Sequence, residues 1–271
     1  MAFFESTAKG GFYPIETEWL PFIANLFVPF AGDNSPRMLD GSAGEGEALA
    51  YLSNAWNLKP YANELDSQRY EACVAKFGQA NTLNDDYFKF RVSMNSFAVQ
   101  LLNPPYDVDN LTGRQQVRLE TRFLRGSWYM LAQGGYNVVV VYTNHIDERF
   151  AMSLVRMSES VDIYRMPELH LDRYMQIVIV AKARKGSYPS DEEVIQDAAV
   201  LVERARLNCE WARGFSDKGS EPDYLWERID TVSEPRYKIP NAGLSAKFVW
   251  KPGTITDDMR IESANRTGAH L

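Results

Sequence analysis

Arg37-Met38-Leu39-Asp40-Gly41-Ser42-Ala43-Gly44-Glu45-Gly46 runs a short apolar strand through an acid into a glycine-rich turn, and Ala48-Leu49-Ala50-Tyr51-Leu52 continues it as a helix. A strand, a turn of the form Asp-x-x-x-Gly-x-Gly and a helix build a nucleotide-type pocket at the carboxyl edge of a parallel sheet. Gly44 and Gly46 let the backbone approach a ligand where a Cβ would collide, and the helix start behind them offers free N–H groups to an anion. Taken alone, the loop is equally explained as a tight strand-to-helix turn.

The next acid sharpens the reading. Lys59–Asn63 reads as a second strand, and Glu64 follows its end about 20 residues after the loop, where a carboxylate can accept two ribose hydroxyls. Asp66 suits the cap of a helix over Ser67–Phe77. Asp85-Asp86-Tyr87-Phe88 follows a third strand; Asp86 is placed to accept from an adenine amino group with Tyr87 beside it, or the pair of acids simply builds a turn. A dinucleotide site would want a further glycine where Leu49 stands, so the pattern suits one nucleoside carrying an amino-acid tail.

Phe97–Leu102 is an apolar strand that leads directly into Asn103-Pro104-Pro105-Tyr106. An exocyclic amine on a base is conjugated to its ring and is a weak nucleophile. The Asn103 side-chain oxygen and the Pro104 carbonyl supply two acceptors for its hydrogens, favouring a pyramidal nitrogen. Pro104 and Pro105 fix two φ angles, so the acceptors are set before a substrate arrives. Tyr106 offers an aromatic face for a planar group.

Further along, a helix is expected over Gln115–Leu131, stopped by Gly134-Gly135. Tyr136–Tyr142, with four consecutive valines, has the apolar continuity of a strand covered on both faces. Ser160–Tyr164 and Met175–Ala181 are the last two strands. Ser190-Asp191-Glu192-Glu193 opens a helix reaching Arg213, and the polar, proline-bearing remainder reads as an extended appendage.

Bulk properties are those of a globular α/β chain with room for one domain and an appendage. No apolar run approaches the roughly 20 residues of a membrane span, and the N-terminus lacks the pattern of a signal peptide. Two cysteines and three scattered histidines make neither a disulfide framework nor a metal site. A cytoplasmic protein without metal or membrane partner is expected. The net charge of -7 argues against coating nucleic acid with the whole surface. A local basic stripe is still open: Arg114, Arg118, Arg122 and Arg125 are spaced to share one helical face that could follow phosphates, or could simply be solvated. Tyr174 is a candidate second stacking residue, or part of the core.

In these residues the chain resembles the class I S-adenosylmethionine-dependent methyltransferases, in particular the adenine-N6 DNA methyltransferases of Asn-Pro-Pro-Tyr type, and within them an uncharacterised subgroup of bacteria and mobile elements. The resemblance covers roughly residues 9–185. Gly10-Gly11-Phe12-Tyr13-Pro14 looks like that family's upstream motif over the methionine end of the cofactor, Asp40–Gly46 its first motif, Glu64 its ribose acid, Asp86 its adenine contact and Asn103–Tyr106 its catalytic motif. Gly10–Pro14 favours a DNA enzyme over a protein-glutamine methyltransferase.

The resemblance implies a Rossmann-like, seven-stranded, mostly parallel sheet with an antiparallel last strand, in a methyltransferase domain of residues 1–185, followed by a helical and irregular appendage over 186–271. It implies S-adenosylmethionine as cofactor and DNA adenine, flipped out of its stack, as acceptor. Two departures stand out. Gly41 replaces the usual proline, a change conservative in shape, and there is no room for a full target-recognition domain, which points to low specificity or to a partner subunit in a restriction-modification or defence system. An RNA base or protein glutamine as acceptor, or a noncatalytic subunit of a DNA-modification complex, are the alternative readings.

Overall fold

The computed structural model describes residues 14–106, 108–109, 117–167, 175–213, 222–245 and 247–253. Its centre is a mixed sheet whose strands are β1 (Arg37–Asp40), β2 (Lys59–Asn63), β3 (Thr82–Leu83), β4 (Phe97–Leu102), β5 (Leu131–Tyr142), β6 (Ser158–Arg165), β7 (Gln176–Ala183) and β8 (Glu227–Arg228). They lie in the order β3-β2-β1-β4-β5-β7-β6-β8. β7 runs antiparallel to both neighbours, and every other pairing is parallel. The fold is therefore Rossmann-like, with the antiparallel last long strand that was expected, and β8 adds a two-residue edge.

Helices α1 (Leu20–Asn25), α2 (Glu47–Ala55), α3 (Ser67–Phe77), α4 (Leu119–Met130), α5 (Glu148–Met157) and α6 (Asp191–Arg213) cover the sheet. Alternation along the strands separates its faces: Val138, Val140, Val178 and Val180 pack with Trp19, Ile23, Leu49 and Leu52. Val139, Val141, Ile177 and Ile179 pack with Leu124, Phe150, Leu154 and Ala198 on the other side. Strands buried on both faces must read as unbroken apolar runs, which is why the valine run was diagnostic.

The local signals behave as their chemistry requires. Asp66 caps α3, its carboxylate accepting from the amides of Gln68 and Arg69 at 3.0 Å each. Ser190 and Glu193 form a reciprocal box at the start of α6: the Glu193 carboxylate accepts from the Ser190 amide and the Ser190 hydroxyl from the Glu193 amide.

Two expectations need correction. α4 starts at Leu119, because Val117–Arg118 is taken up in an antiparallel pair with Val108–Asp109. At its other end α4 passes into β5 at Leu131, ahead of Gly134-Gly135, which lie inside the strand. There they serve a bulge: between the pairs Phe97↔Leu131 and Val99↔Tyr136 the register shifts. A Cβ on Gly135 would stand 2.7 Å from the Ala98 carbonyl oxygen. Gly135 answers to a close backbone approach and Gly134 to a positive φ of 72°, neither of them to a helix stop.

The chain after α6 returns three times. Glu227–Arg228 is β8, Tyr237–Lys238 pairs parallel with Phe27–Val28, and Trp250–Lys251 pairs antiparallel with Arg91–Val92. Phe248 and Trp250 pack onto Tyr61 and Phe97. Among the described residues no helix is long and apolar enough to cross a membrane, and no group of three or more His, Cys, Asp or Glu could hold a metal.

Candidate active site

Because β1 and β4 are adjacent and parallel, with Asp40 opposite Leu101, the segments that follow them leave the same edge of the sheet. The Ser42 hydroxyl donates to the Asn103 carbonyl oxygen at 3.3 Å, so the glycine loop and the Asn-Pro-Pro-Tyr loop touch. Gly44 and Gly46 both hold positive φ, 58° and 83°, and a Cβ on Gly46 would meet the Phe77 ring at 2.7 Å. Glycine is required here by conformation and by space.

Glu64 closes this loop from the side of β2. Its carboxylate accepts from the Gly44 amide at 2.8 Å, from the Asp66 amide at 2.9 Å and from the Arg69 guanidinium at 2.9 Å. With the second Arg69 nitrogen at 3.3 Å, three bonds fall on Oε1 and one on Oε2, so the acceptor position left is the other lone pair of Oε2. Asn63 had not been singled out by sequence, yet it is buried at the centre of the site: its side-chain amide donates to the carbonyls of Gly41 and Asp85 at 3.1 and 2.9 Å, and its backbone carbonyl accepts from the Ala43 amide. A polar residue closing an otherwise apolar strand was the available signal.

Asp40 is 3% exposed and its carboxylate accepts from the Ser42 amide at 3.0 Å. Burial pushes its carboxyl up to about 7; the Ser42 amide opposes that rise and the nearby Glu64 charge adds to it. Cys73 lies under the same loop, donating to the Gly44 carbonyl at 3.1 Å, and burial pushes its thiol up to about 12.

Asp85 and Asp86 divide the roles expected of the third acid. Asp85 is buried and accepts from the amides of Asp86 and, at 2.7 Å, Gly253 of the returning chain. Asp86 is partly open, accepting from the Phe88 amide and pairing with Lys89 at 3.2 Å. Tyr87 is buried; its ring stacks on Phe123 at 4.0 Å and its hydroxyl donates to the Phe123 carbonyl.

The same ring explains Gly41. A Cβ on residue 41 would stand 2.4 Å from two atoms of Tyr87, so glycine here is no shape-conserving exchange for proline. Gly41→Ala is expected to lower stability by about 1–3 kcal/mol through overpacking, read as a drop in the urea midpoint at unchanged m-value. An unaltered midpoint would contradict the contact.

At the Asn-Pro-Pro-Tyr loop, Asn103 and Pro104 are buried while Pro105 and Tyr106 are partly open. The Tyr106 hydroxyl donates toward Asn103 Oδ1 at 3.4 Å and accepts from the Gln176 amide at 2.7 Å. The ring of Tyr106 lies 4.4 Å from that of Tyr142 and 5.5 Å from that of His145. Neither Gln176 nor His145 carried a signal in sequence, since both meet Tyr106 only through the sheet.

The arginines separate. Arg118 precedes α4 and pairs with Glu120 at 3.2 Å, Arg122 lies over the Phe88 ring at 4.1 Å, and Arg125 is exposed. The shared face expected of them assumed a helix from residue 115; with its start at Leu119, only Arg122 and Arg125 lie in it. Pro14 is exposed. Phe12, Tyr13, Arg114 and Tyr174 lie outside the described residues.

The family model described as "Uncharacterised methyltransferase family (DUF6094)" matches residues 4–206. No curated protein matches the chain. Among solved structures, it is similar to a protein of Listeria monocytogenes assigned to the class I S-adenosylmethionine-dependent methyltransferases, at 12% identity and a TM-score of 0.49 over 69% of this chain and 67% of that one. It is similar to the type I restriction-modification methyltransferase subunit of Streptococcus thermophilus at 14% identity and a TM-score of 0.47, over 72% of this chain and 53% of that one. It is also similar to the type IIG restriction endonuclease BpuSI at 18% identity and a TM-score of 0.46, over 76% of this chain and 29% of that one. Substrates and assemblies named there belong to those proteins.

Proposed function

The chain belongs to the methyltransferase family DUF6094, and from that membership we propose that it transfers a methyl group from S-adenosylmethionine to the exocyclic N6 of adenine in DNA. The observation that carries this reading is the contact between Ser42 and Asn103, which joins a loop shaped for a nucleoside with an amino-acid tail to a loop shaped for a planar amine.

The residues present fit the cofactor. Gly44 and Gly46 take backbone angles that keep side chains out of the loop, Glu64 is already oriented as an acceptor, and the buried Asp40 carboxyl suits a cationic neighbour. Asp86, with Tyr87 beside it, borders the adenine end, and Gly41 lets the loop pass under the Tyr87 ring; the methionine end is assigned to Phe12, Tyr13 and Pro14 by the resemblance of residues 10–14 alone. When bound, S-adenosylmethionine supplies a methyl group carried on a positive sulfur.

The chain's own part is positioning and electrostatics. Asn103 Oδ1 and the Pro104 carbonyl accept the two amine hydrogens and raise the electron density at nitrogen, while Pro105 keeps both in place. Tyr106 stacks on the base, worth about 1–3 kcal/mol. Arg125, exposed on α4, contacts phosphates, whereas Arg118 is held by Glu120.

Tritiated methyl donor offered in parallel to DNA, RNA and protein tests the acceptor. Label in DNA, recovered as N6-methyladenine by mass spectrometry, is the expected result; label confined to protein would contradict it.

A further inference from the structure

Behind the amine-holding loop lies a charged group that nothing above uses. Glu120, in the first turn of α4, has a side chain with no exposed surface, yet its Oε1 lies 2.5 Å from His145 Nδ1 and 3.2 Å from the Arg118 guanidinium. The separation is that of an ion-pair contact, and it fixes where this edge of the imidazole sits against the carboxyl. Burying a carboxylate costs several kcal/mol before its partners offset it; an apolar residue would fill the same space without that cost. The positive end of α4 and Arg118 help hold the charge.

What the oriented imidazole touches gives the arrangement its sense. His145 closes the short turn Thr143–His145 at the end of β5 and is a partly open residue. Its ring meets Tyr106 at 5.5 Å and 75°, and Tyr142 at 5.1 Å and 75°. Tyr142 in turn lies against Tyr106 at 4.4 Å. Such edge-to-face contacts are directional. The far end of Tyr106 is held through its hydroxyl by Gln176, Asn103 and Val140, and the two neighbouring rings fix the tilt that bonds at one end leave undetermined.

We infer that Glu120 and His145 are positioning residues for Tyr106: the carboxylate fixes the imidazole, and the imidazole, with Tyr142, fixes the plane on which a heteroaromatic base stacks. The inference rests on the reading of Tyr106 as the stacking residue.

Two measurements on the full chain test it. With 3-fluorotyrosine at position 106, the wild-type protein gives one narrow fluorine resonance, and His145→Ala shifts and broadens it. In the DNA methylation assay, using plasmid free of adenine methylation, His145→Ala raises KM for DNA about tenfold, in line with partial loss of stacking, and leaves kcat and the cofactor dissociation constant unchanged.

His145→Gln separates the ring from the ion pair, since the amide still donates to Glu120 but has no ring to offer Tyr106. It is expected to match His145→Ala in both readouts while keeping the wild-type melting temperature. Wild-type behaviour of His145→Gln would reduce the pair to a tie between α4 and the turn and overturn the inference, as would an unmoved fluorine resonance in His145→Ala. Absence of DNA methylation by the wild-type protein, together with a shifted resonance in His145→Ala, would instead refute the proposed acceptor and leave the positioning role standing.

Discussion

Asn103→Ala is expected to lower kcat by about 10²–10³, the effect of removing one preorganised polar group from a reacting centre, while the cofactor dissociation constant changes by less than about threefold. The separation follows from which atoms do what. The substitution removes Oδ1, the acceptor assigned to one amine hydrogen. It keeps the backbone carbonyl that accepts from Ser42, so the joint between the two loops survives. The Tyr106 hydroxyl loses one neighbour at 3.4 Å but keeps its bond from Gln176, so the stacking ring should stay in place. Isothermal titration with the cofactor, beside single-turnover methyl transfer, reads both quantities. If affinity and rate fell together, Asn103 would be a structural member of the cofactor loop and its assigned part in activating the amine would be wrong.

Asp40→Asn is expected to have opposite effects on stability and on cofactor binding. A carboxyl at about 7 in the folded chain and about 3.8 unfolded means that the folded state holds a proton the unfolded state has released. Between those values stability falls as pH rises, and above about 7 the loss is complete, amounting to about 4 kcal/mol for a shift of that size. A neutral amide at this position would carry no such loss, while its oxygen could still accept from Ser42. The variant should therefore melt higher than the wild-type protein at pH 8 without cofactor, and the gap should narrow toward pH 5. Its cofactor affinity should drop, because the negative charge that a cationic ligand would draw out is gone. For the wild-type protein the same reasoning makes cofactor binding weaken as pH falls below about 7. A variant no more stable at pH 8, or a wild-type affinity flat from pH 6 to 8, would contradict the account of Asp40.

Much of the frame was legible because burial on both faces leaves a plain trace. Arg37–Asp40, Lys59–Asn63 and Phe97–Leu102 stand within the residues expected of them, each an apolar run delimited by an acid, an amide or proline. Ser67–Phe77 was bounded by Asp66, which caps it, and by Gly78, which leaves it with φ of 77°. Arg114 to Arg125 misled for a definite reason: side chains spaced by three and four imitate a helix face, whereas Val117 and Arg118 are held by a partner strand that their own sequence does not announce. Gly134-Gly135 misled because a glycine pair after a helix serves a bulge as well as a stop, and the deciding contact is with Ala98.

The site divides along the same line. Asp40, Glu64 and Asn103–Tyr106 are visible because Asp40 ends a strand and the others directly follow one. Asn63, Gln176, Glu120 and His145 act through contacts across the sheet or between α4 and the turn after β5, and no local pattern marks them. Two-residue pairings such as Phe27–Val28 with Tyr237–Lys238 are too short to show a period at all.

The central claim is that one edge of the sheet presents a cofactor loop and an amine-holding loop to the same reacting atoms. A crystal structure with S-adenosylhomocysteine tests it most directly: the sulfur is predicted to lie in the opening shared by residues 41–46 and the Asn103 side chain, with the ribose at Glu64. A cofactor lodged elsewhere, or one whose sulfur faces away from Asn103, would contradict it.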